Sequence, residues 1–505
     1  MKRSDHLVRD ALIVGVVALL VRLPAYFAPQ PLGFDDGQFA MSVIAMRHGG
    51  APFRDVFSSQ GPLFLPVAWL GDLLTGRTLD SPRAASVAAG VALAGLVLLL
   101  ARRFAGRGPA WFAAILVALS GSVLWTTAPL TSDGIAEALA VGTALAGVAY
   151  WTRPGLGPAA LVGLLAGAAL AVKSLLVIPA LVAAGLWVLL RRRWTDVLAV
   201  PVVGVVVVLL TSAPWGLARV YDQYVRYHTD AVADRPIGAN LRKLWDTLVE
   251  RDLPLLLAAL VALVGWLSGV AARRRDPGTA LPYVDEAGEP RPPAWPLVVW
   301  LVTVLGVVLT ESPMWRNHVA HVAVPLALLM AVGLERSKRP SAVTATAVVV
   351  AVLAVPWSVV HLGELIRPQD PPPRIAALDR TLRRLPPGAF VIADTPGLVW
   401  RAGRRTPDNF VDVSILRITS PTKSLQLTAD DIVHAAAQPD VCAVVRWSNQ
   451  RFTDFPDLGP RLRALGYEPK DRHGVEVVWV KADCRPGAGR ASRTTAAVAP
   501  PGSRG

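Results

Sequence analysis

Four acids, one lysine, one arginine and two histidines stand out in a chain otherwise poor in charge. Asp35 and Asp36 are adjacent in GFDDGQFAMSVIAMRHGG, residues 33–50. Asp133 and Glu137 lie one helical turn apart in TAPLTSDGIAEAL, and Lys173 interrupts the apolar run LAGAALAVKSLLVIPA. Arg316, His318 and His321 fall together in ESPMWRNHVAHVAVPLALL. A carboxylate held at a membrane boundary can act as a general base on a hydroxyl. A lysine inside an apolar hairpin costs about 2.5–3.5 kcal/mol at a helix centre, a cost offset when it holds an anion such as a lipid phosphate. His318 and His321 are spaced i,i+3 and share a helix face. They can ligate a metal, but no third ligand is evident, so phosphate or sugar contact is favoured.

Each residue also has a plainer reading. Asp35 and Asp36 precede QFAMSVIAMRH, which has helical periodicity, so either can cap a helix. Asp133 can do the same, with Thr131 and Ser132 as rivals. Lys173 can snorkel to the interface, and the histidines can be interfacial residues bonded to nearby backbone. The segment RVYDQYVRYHTDAVADRP, within 216–252, offers Tyr, Arg and His to a sugar or headgroup, or forms an amphipathic helix on the membrane.

The elements that must position these residues are membrane helices. The chain has 505 residues, of which 53% are hydrophobic and 17% charged, with a mean hydropathy of +0.44. Such values exclude an ordinary soluble domain. Eleven apolar runs approach the roughly 20 residues that span a bilayer: 10–28, 84–101, 109–128, 134–151, 157–172, 174–190, 197–215, 253–271, 295–310, 317–334 and 341–361. The net charge of +14 does not point to nucleic acid, because the Arg residues sit in short clusters between apolar runs. ARRFAGR (101–107), RRRW (191–194), ARRRD (272–276) and ERSKR (335–339) all fall on one side if the N-terminus is cytoplasmic, as the positive-inside rule requires. No cleavage site follows the first apolar run, which reads as a retained helix. The odd count places the C-terminal segment outside.

This register requires 62–75 to lie at the surface rather than to cross, within a first outer segment of about 29–82. Residues 1–362 then form the membrane domain. Over 363–484 the apolar content falls, and period-2 runs at 390–394, 441–447 and 475–481 alternate with helical patterns at 374–385, 428–437 and 458–467. This predicts an extracytoplasmic α/β domain. Residues 485–505 read as a disordered tail and 273–294 as a linker. The two cysteines, Cys442 and Cys484, are too few for a metal site and are candidates for a disulfide in an oxidising compartment.

The order of these features resembles the GT-C membrane glycosyltransferases, and within them the protein-mannosyltransferase and aminoarabinose-transferase group that uses polyprenyl-phosphate sugars. The motif carrying the resemblance is GFDDGQFAMSVIAMRHGGAPFRDVFSSQGPLF, and the likeness extends over about residues 1–360. It implies that Asp35 is the catalytic acid/base position. Asp36 stands where the group more often has Glu, which leaves open which carboxylate takes the proton. Asp133 falls on the second acidic site of the outer loops, and Lys173 and Arg316 on phosphate contacts. The implied partners are a polyprenyl-phosphate-linked sugar, mannose or a pentose, and a protein, glycan or lipid acceptor, with inversion at the anomeric carbon. No phosphate-binding Gly loop is present, and a lipid-phosphate donor needs none. A divalent cation at Asp35 and Asp133 is compatible with the motif but not demanded by it. The high Ala, Arg and Pro content fits a GC-rich bacterium, hence a bacterial plasma membrane. Two other classes stay open: a transporter or lipid flippase, which calls for ionisable groups at mid-membrane and paired halves, and a non-catalytic membrane scaffold.

Overall fold

The computed structural model describes residues 2–191, 193–230, 237–275, 291–337, 340–368, 372–448, 451–473 and 476–484. The 485–505 tail and most of the 273–294 linker lie outside them. Each of the eleven apolar runs is helical. Among the described residues, five helices are long and apolar enough to cross a bilayer: Ser81–Ala101, Ser132–Thr152, Trp194–Trp215, Arg316–Glu335 and Val348–Ile366. A sixth is formed if Arg107–Leu119 and Gly121–Thr127, bent by 59°, are taken together. The protein is therefore a multi-pass helical membrane protein. Of the other expected spans, Leu156–Leu170, Leu175–Leu189 and Trp295–Thr310 are apolar helices of fewer than 18 residues, while Lys2–Tyr26 and Ile237–Arg275 are long helices with charged ends. At the bend, Ser120 accepts the Val123 N–H at 3.2 Å and donates to Asp252 at 2.5 Å, so its side chain restarts the helix.

Burial sorts these helices. Arg316–Glu335 is 83% buried and Ser132–Thr152 72%, whereas Trp194–Trp215 is 11% buried. The first two are the axis of the bundle and the last faces lipid. The reactive residues at 133, 318 and 321 thus sit on the two central helices.

The first outer segment folds back onto the bundle. It contains helices Phe34–Arg47 and Phe64–Leu74. The second is 11 residues long, about 16 Å at 1.5 Å per residue, and is too short to cross. Its Asp72 is fully buried against Arg47, whose Nε lies 2.8 Å away. The apolar 62–75 run is therefore anchored from one side. Just before it, Gly61 N–H and Leu63 N–H donate to Val172 and Ala171 at 3.0 and 2.9 Å. A Cβ at Gly61 would stand 2.2 Å from the Ala171 carbonyl oxygen. Only glycine lets this strand of loop lie on the turn that carries Lys173.

The C-terminal segment contains a four-stranded sheet in the order β1-β2-β4-β3, with β1 Phe390–Ala393, β2 Val441–Arg446, β3 Tyr467–His473 and β4 Glu476–Lys481. β1 and β2 pair in parallel, and β4 pairs antiparallel with both β2 and β3. Three strands are those predicted by alternation. The fourth is not predicted: the helix expected over 458–467 stops at Ala464, and Tyr467 opens a polar edge strand containing Pro469. Pro is tolerated at a sheet edge, which is why alternation did not reveal it. Thr428 and Asp431 form a capping box on helix Ala429–Ala436. Cys442 and Cys484 are joined with an S–S distance of 1.99 Å, tying β2 to the turn after β4.

This α/β unit sits directly on the first outer segment. A Cβ on Gly37 would stand 2.4 Å from Gly397 Cα, so helices Phe34–Arg47 and Pro396–Arg401 touch backbone to backbone. Trp400 Nε1 donates to Leu79 O at 3.0 Å, and Arg401 Nη1 reaches Asp80 Oδ1 at 2.8 Å.

Candidate active site

The two adjacent aspartates have opposite surroundings. Asp36 is buried and saturated. Its carboxylate accepts from Arg83 Nη2 at 2.6 Å, from Leu32 N–H at 2.8 Å and from Leu130 N–H at 2.8 Å. Arg83 is itself fully buried and donates to the carbonyls of Ala25, Ala28 and Gln30 at 3.0, 2.9 and 2.7 Å. Its guanidinium also stacks on Trp400 at 4.9 Å. Asp36 thus clasps the end of the first helix, the 130 region and the α/β unit, which leaves it no lone pair for a substrate.

Asp35 lies on the other side of the same helix, because successive residues diverge by about 100°. Its side chain is accessible to solvent yet within reach of the charges of Asp133, Lys173, Asp412 and Arg451, and the space these groups share is here called the chamber. Among the described residues no hydrogen bond or ion pair engages its carboxylate. Removal from bulk water pushes its pKa up to about 6. The Asp133 and Asp412 charges add to the rise, and Lys173 and Arg451 oppose it. A carboxylate placed there is ionised at neutral pH and close to the pH at which a base works best.

Facing it is a polar chain from three elements. Lys173 Nζ stands 2.7 Å from Asp133 Oδ1 and 3.3 Å from His318 Nε2. His318 Nδ1 is 2.5 Å from Glu311 Oε2, and His321 Nε2 is 3.3 Å from Asp133 Oδ1. With Lys173 donating to Nε2, the His318 proton sits on Nδ1 and goes to Glu311. The Lys173 ammonium is therefore aimed by Asp133 on one side and by the His318–Glu311 pair on the other. His318 and His321 share the expected neighbourhood but serve different partners, one on the lysine and one on the aspartate.

Arg316 does not join them. Its guanidinium pairs with Glu250, and its Nε reaches Thr247 Oγ1 at 3.1 Å. This ties it to helix Ile237–Arg275 rather than to a phosphate position beside Lys173. Glu137 lies one turn deeper than Asp133, with both carboxyl oxygens buried and unpartnered among the described residues. Among the described residues, no three His, Cys, Asp or Glu side chains are grouped as metal ligands. Both contacts to the Asp133 carboxylate, from Lys173 and from His321, fall on Oδ1.

The chamber's roof was not read from the sequence. It comes from the α/β unit. Asp412 accepts from Gln38 Nε2 at 2.6 Å and from Ser414 N–H at 3.0 Å. Arg451 stacks on the Phe34 ring at 3.8 Å, with its Nε buried and, among the described residues, unpartnered. Arg417 stacks on Phe57 at 4.5 Å. From the 216–252 segment, Tyr227 contributes a hydroxyl 2.7 Å from Ser414 Oγ. One sequence signal was present for Asp412, a lone acid between Val411 and Val413, and none for Arg451.

The arrangement is thus a helical membrane bundle with an acid on its first outer helix and a lysine–aspartate pair, covered by an α/β unit. Residues 59–217 match the family described as dolichyl-phosphate-mannose-protein mannosyltransferase. Among solved structures, ArnT from Cupriavidus metallidurans in the apo state superposes with a TM-score of 0.64 at 15% identity, covering 93% of this chain and 97% of that one. The same protein bound to undecaprenyl phosphate gives a TM-score of 0.63 at 15% identity, with the same coverage of 93% and 97%. An Archaeoglobus fulgidus oligosaccharyltransferase in complex with Zn and sulfate gives 0.51 at 12% identity, over 91% of this chain and 71% of that one. No curated protein matches by sequence. The chain resembles the GT-C membrane glycosyltransferases of the ArnT and protein-mannosyltransferase type.

Proposed function

We propose that this protein is an integral membrane glycosyltransferase that moves a sugar, mannose or a pentose, from a polyprenyl-phosphate donor to an acceptor hydroxyl on a protein, glycan or lipid. The observation that carries the reading is the pairing of an unengaged carboxylate, Asp35, with an aimed ammonium, Lys173, in one chamber. Asp35 accepts the proton of the acceptor hydroxyl as that oxygen attacks the anomeric carbon. The bond from that carbon to the phosphate oxygen breaks, and its electron pair leaves with polyprenyl phosphate. Lys173 offsets the charge that develops on the leaving oxygen. Attack opposite the leaving group inverts the configuration. Asp133 positions Lys173 rather than taking a proton. The protein lies in a bacterial plasma membrane with its N-terminus cytoplasmic and the chamber and α/β domain extracytoplasmic. The Arg clusters and the disulfide both favour that orientation.

Purified protein supplied with a panel of polyprenyl-phosphate sugars and, separately, nucleotide sugars tests the class. Turnover of a lipid-linked donor is expected, whereas turnover of nucleotide sugars alone would discard the reading.

Two further outcomes follow from the site. The wild-type kcat/KM should fall about tenfold per pH unit below about 6, because the base is then protonated and inactive. A profile flat down to pH 4.5 would remove Asp35 from the proton transfer. Lys173→Met should lower kcat by about 10²-fold. It should also move the acid limb to higher pH, since the lysine holds the Asp35 pKa down. An unchanged limb would separate the two groups.

A further inference from the structure

We infer that His228 is a specificity-determining residue for the donor, its Nε2 accepting a hydrogen bond from one hydroxyl of the sugar. This deepens the glycosyltransferase reading and rests on it. His228 belongs to RVYDQYVRYHTDAVADRP. The described part of that stretch includes the π-helical turn Tyr221–Arg226 and the helical turn Tyr227–Asp230. Such π turns are rare and are frequent at functional sites. Contacts on three sides hold the segment in place. Tyr224 Oη donates to Leu170 O at 2.7 Å, close before the turn that carries Lys173. Gln223 donates to Phe53 O and accepts from the Ser58 N–H, each at 2.9 Å, in the first outer segment. Tyr227 meets Ser414 of the α/β unit through its hydroxyl and the Phe57 ring edge-on at 5.3 Å. Tyr224 and Tyr227 are buried against these partners. The segment is therefore a wall of the chamber rather than a helix resting on lipid.

His228 has one lone pair to spare. Its Nδ1 lies 2.9 Å from the Tyr224 carbonyl oxygen. A carbonyl can only accept, so the proton is on Nδ1 and the neutral ring presents Nε2 as an acceptor. Removal from bulk water pushes the His228 pKa down, and the Lys173 charge adds to the fall, against the Tyr224 bond and the Glu311 charge. The neutral form therefore prevails at pH 7. The Tyr224 and Tyr227 rings meet the imidazole edge-on at 6.5 and 5.3 Å. The residue is accessible to solvent, and among the described residues nothing bonds Nε2. Its position decides what it takes. In a displacement with inversion the anomeric carbon lies between the base and the leaving phosphate, so the sugar fills the space from Asp35 to Lys173. Tyr227 and His228 border that space from its two ends. The Asp35 charge reaches Tyr227, and the charges of Lys173, Glu311 and His318 reach His228. The Tyr227 hydroxyl is engaged by Ser414, whereas Nε2 is open to a donor. An ionised phosphate or carboxylate has no proton to give it, and an ammonium would add a second cation near Lys173. A neutral sugar hydroxyl meets both conditions.

The test uses the full chain in detergent. Its donor is whichever of polyprenyl-phosphate mannose, arabinose or ribose turns over fastest, set beside every single-deoxy analogue of that donor. Wild type should lose about tenfold in kcat/KM for one deoxy position, because Nε2 is then left without its hydroxyl. His228→Phe should lose about as much with the complete donor and nothing further with that analogue. The other deoxy positions should cost both proteins alike. His228→Gln, whose amide oxygen can stand near the place of Nε2, should recover part of the discrimination. A residue that only shaped the wall would change the rate on every donor by one factor. Should His228→Phe not fold, His228→Gln decides alone: its penalty for that analogue should be smaller than that of wild type. A wild type that penalises no deoxy position, or variants that discriminate as wild type does, would overturn the inference and leave the glycosyltransferase reading standing. Absence of turnover with every lipid-linked donor would remove both.

Discussion

Asp35→Asn is expected to lower sugar transfer by about 10²–10⁴-fold while the protein stays folded and inserted. The amide is nearly the same size as the carboxylate but cannot take a proton from an attacking hydroxyl. Structure should be spared because the fold makes no use of the Asp35 carboxylate, which faces the chamber without a hydrogen bond among the described residues. Asp35→Glu keeps the charge but displaces it by one methylene, so partial activity is expected. Transfer rates in membranes with matched protein levels read the effect directly. Wild-type rates in Asp35→Asn would move the base elsewhere.

The neighbouring substitution should fail differently. Asp36→Asn leaves the fully buried Arg83 guanidinium without its counter-charge, and turns an NH2 group toward donors from Arg83, Leu32 or Leu130. Breaking a buried ion pair from one side costs about 3–5 kcal/mol. That is a large part of the stability of a typical domain. The expected result is little extractable folded protein and a lowered melting transition. Activity should fall with abundance rather than per molecule. Arg83→Met should behave the same way, because Arg83 also satisfies the carbonyls of Ala25, Ala28 and Gln30. An Asp36→Asn protein that melts like wild type but is inactive per molecule would give Asp36 a chemical role.

That pair of outcomes shows where sequence reading stops. The motif places both aspartates in the first turn of one helix, and nothing local separates them. What separates them is Arg83, 47 residues away, and the direction each side chain takes from the helix. The apolar runs, the Arg clusters and the alternating strands were legible because hydropathy and charge patterns are local properties. So was the grouping of Asp133, Lys173, His318 and His321, since each is an ionisable residue set in an apolar run. Arg316 looked equivalent to them, but its partner Glu250 lies on another helix and draws it away. The roof was hidden for the same reason. The Gln38–Asp412 contact joins residues 374 positions apart, and no periodicity announces it. The broken helix at Ser120 and the polar edge strand at Tyr467–His473 went unread because tertiary partners, Asp252 and β4, stabilise them.

The most direct test of the central claim is a single-turnover measurement on purified protein preloaded with a polyprenyl-phosphate sugar. Both binding of the donor and release of polyprenyl phosphate on addition of acceptor would be followed. Wild type should release polyprenyl phosphate in step with formation of an inverted glycoside. Asp35→Asn should bind the donor as tightly and release it at least about 10²-fold more slowly. Equal release rates from the two proteins, with the donor bound in both, would contradict the account.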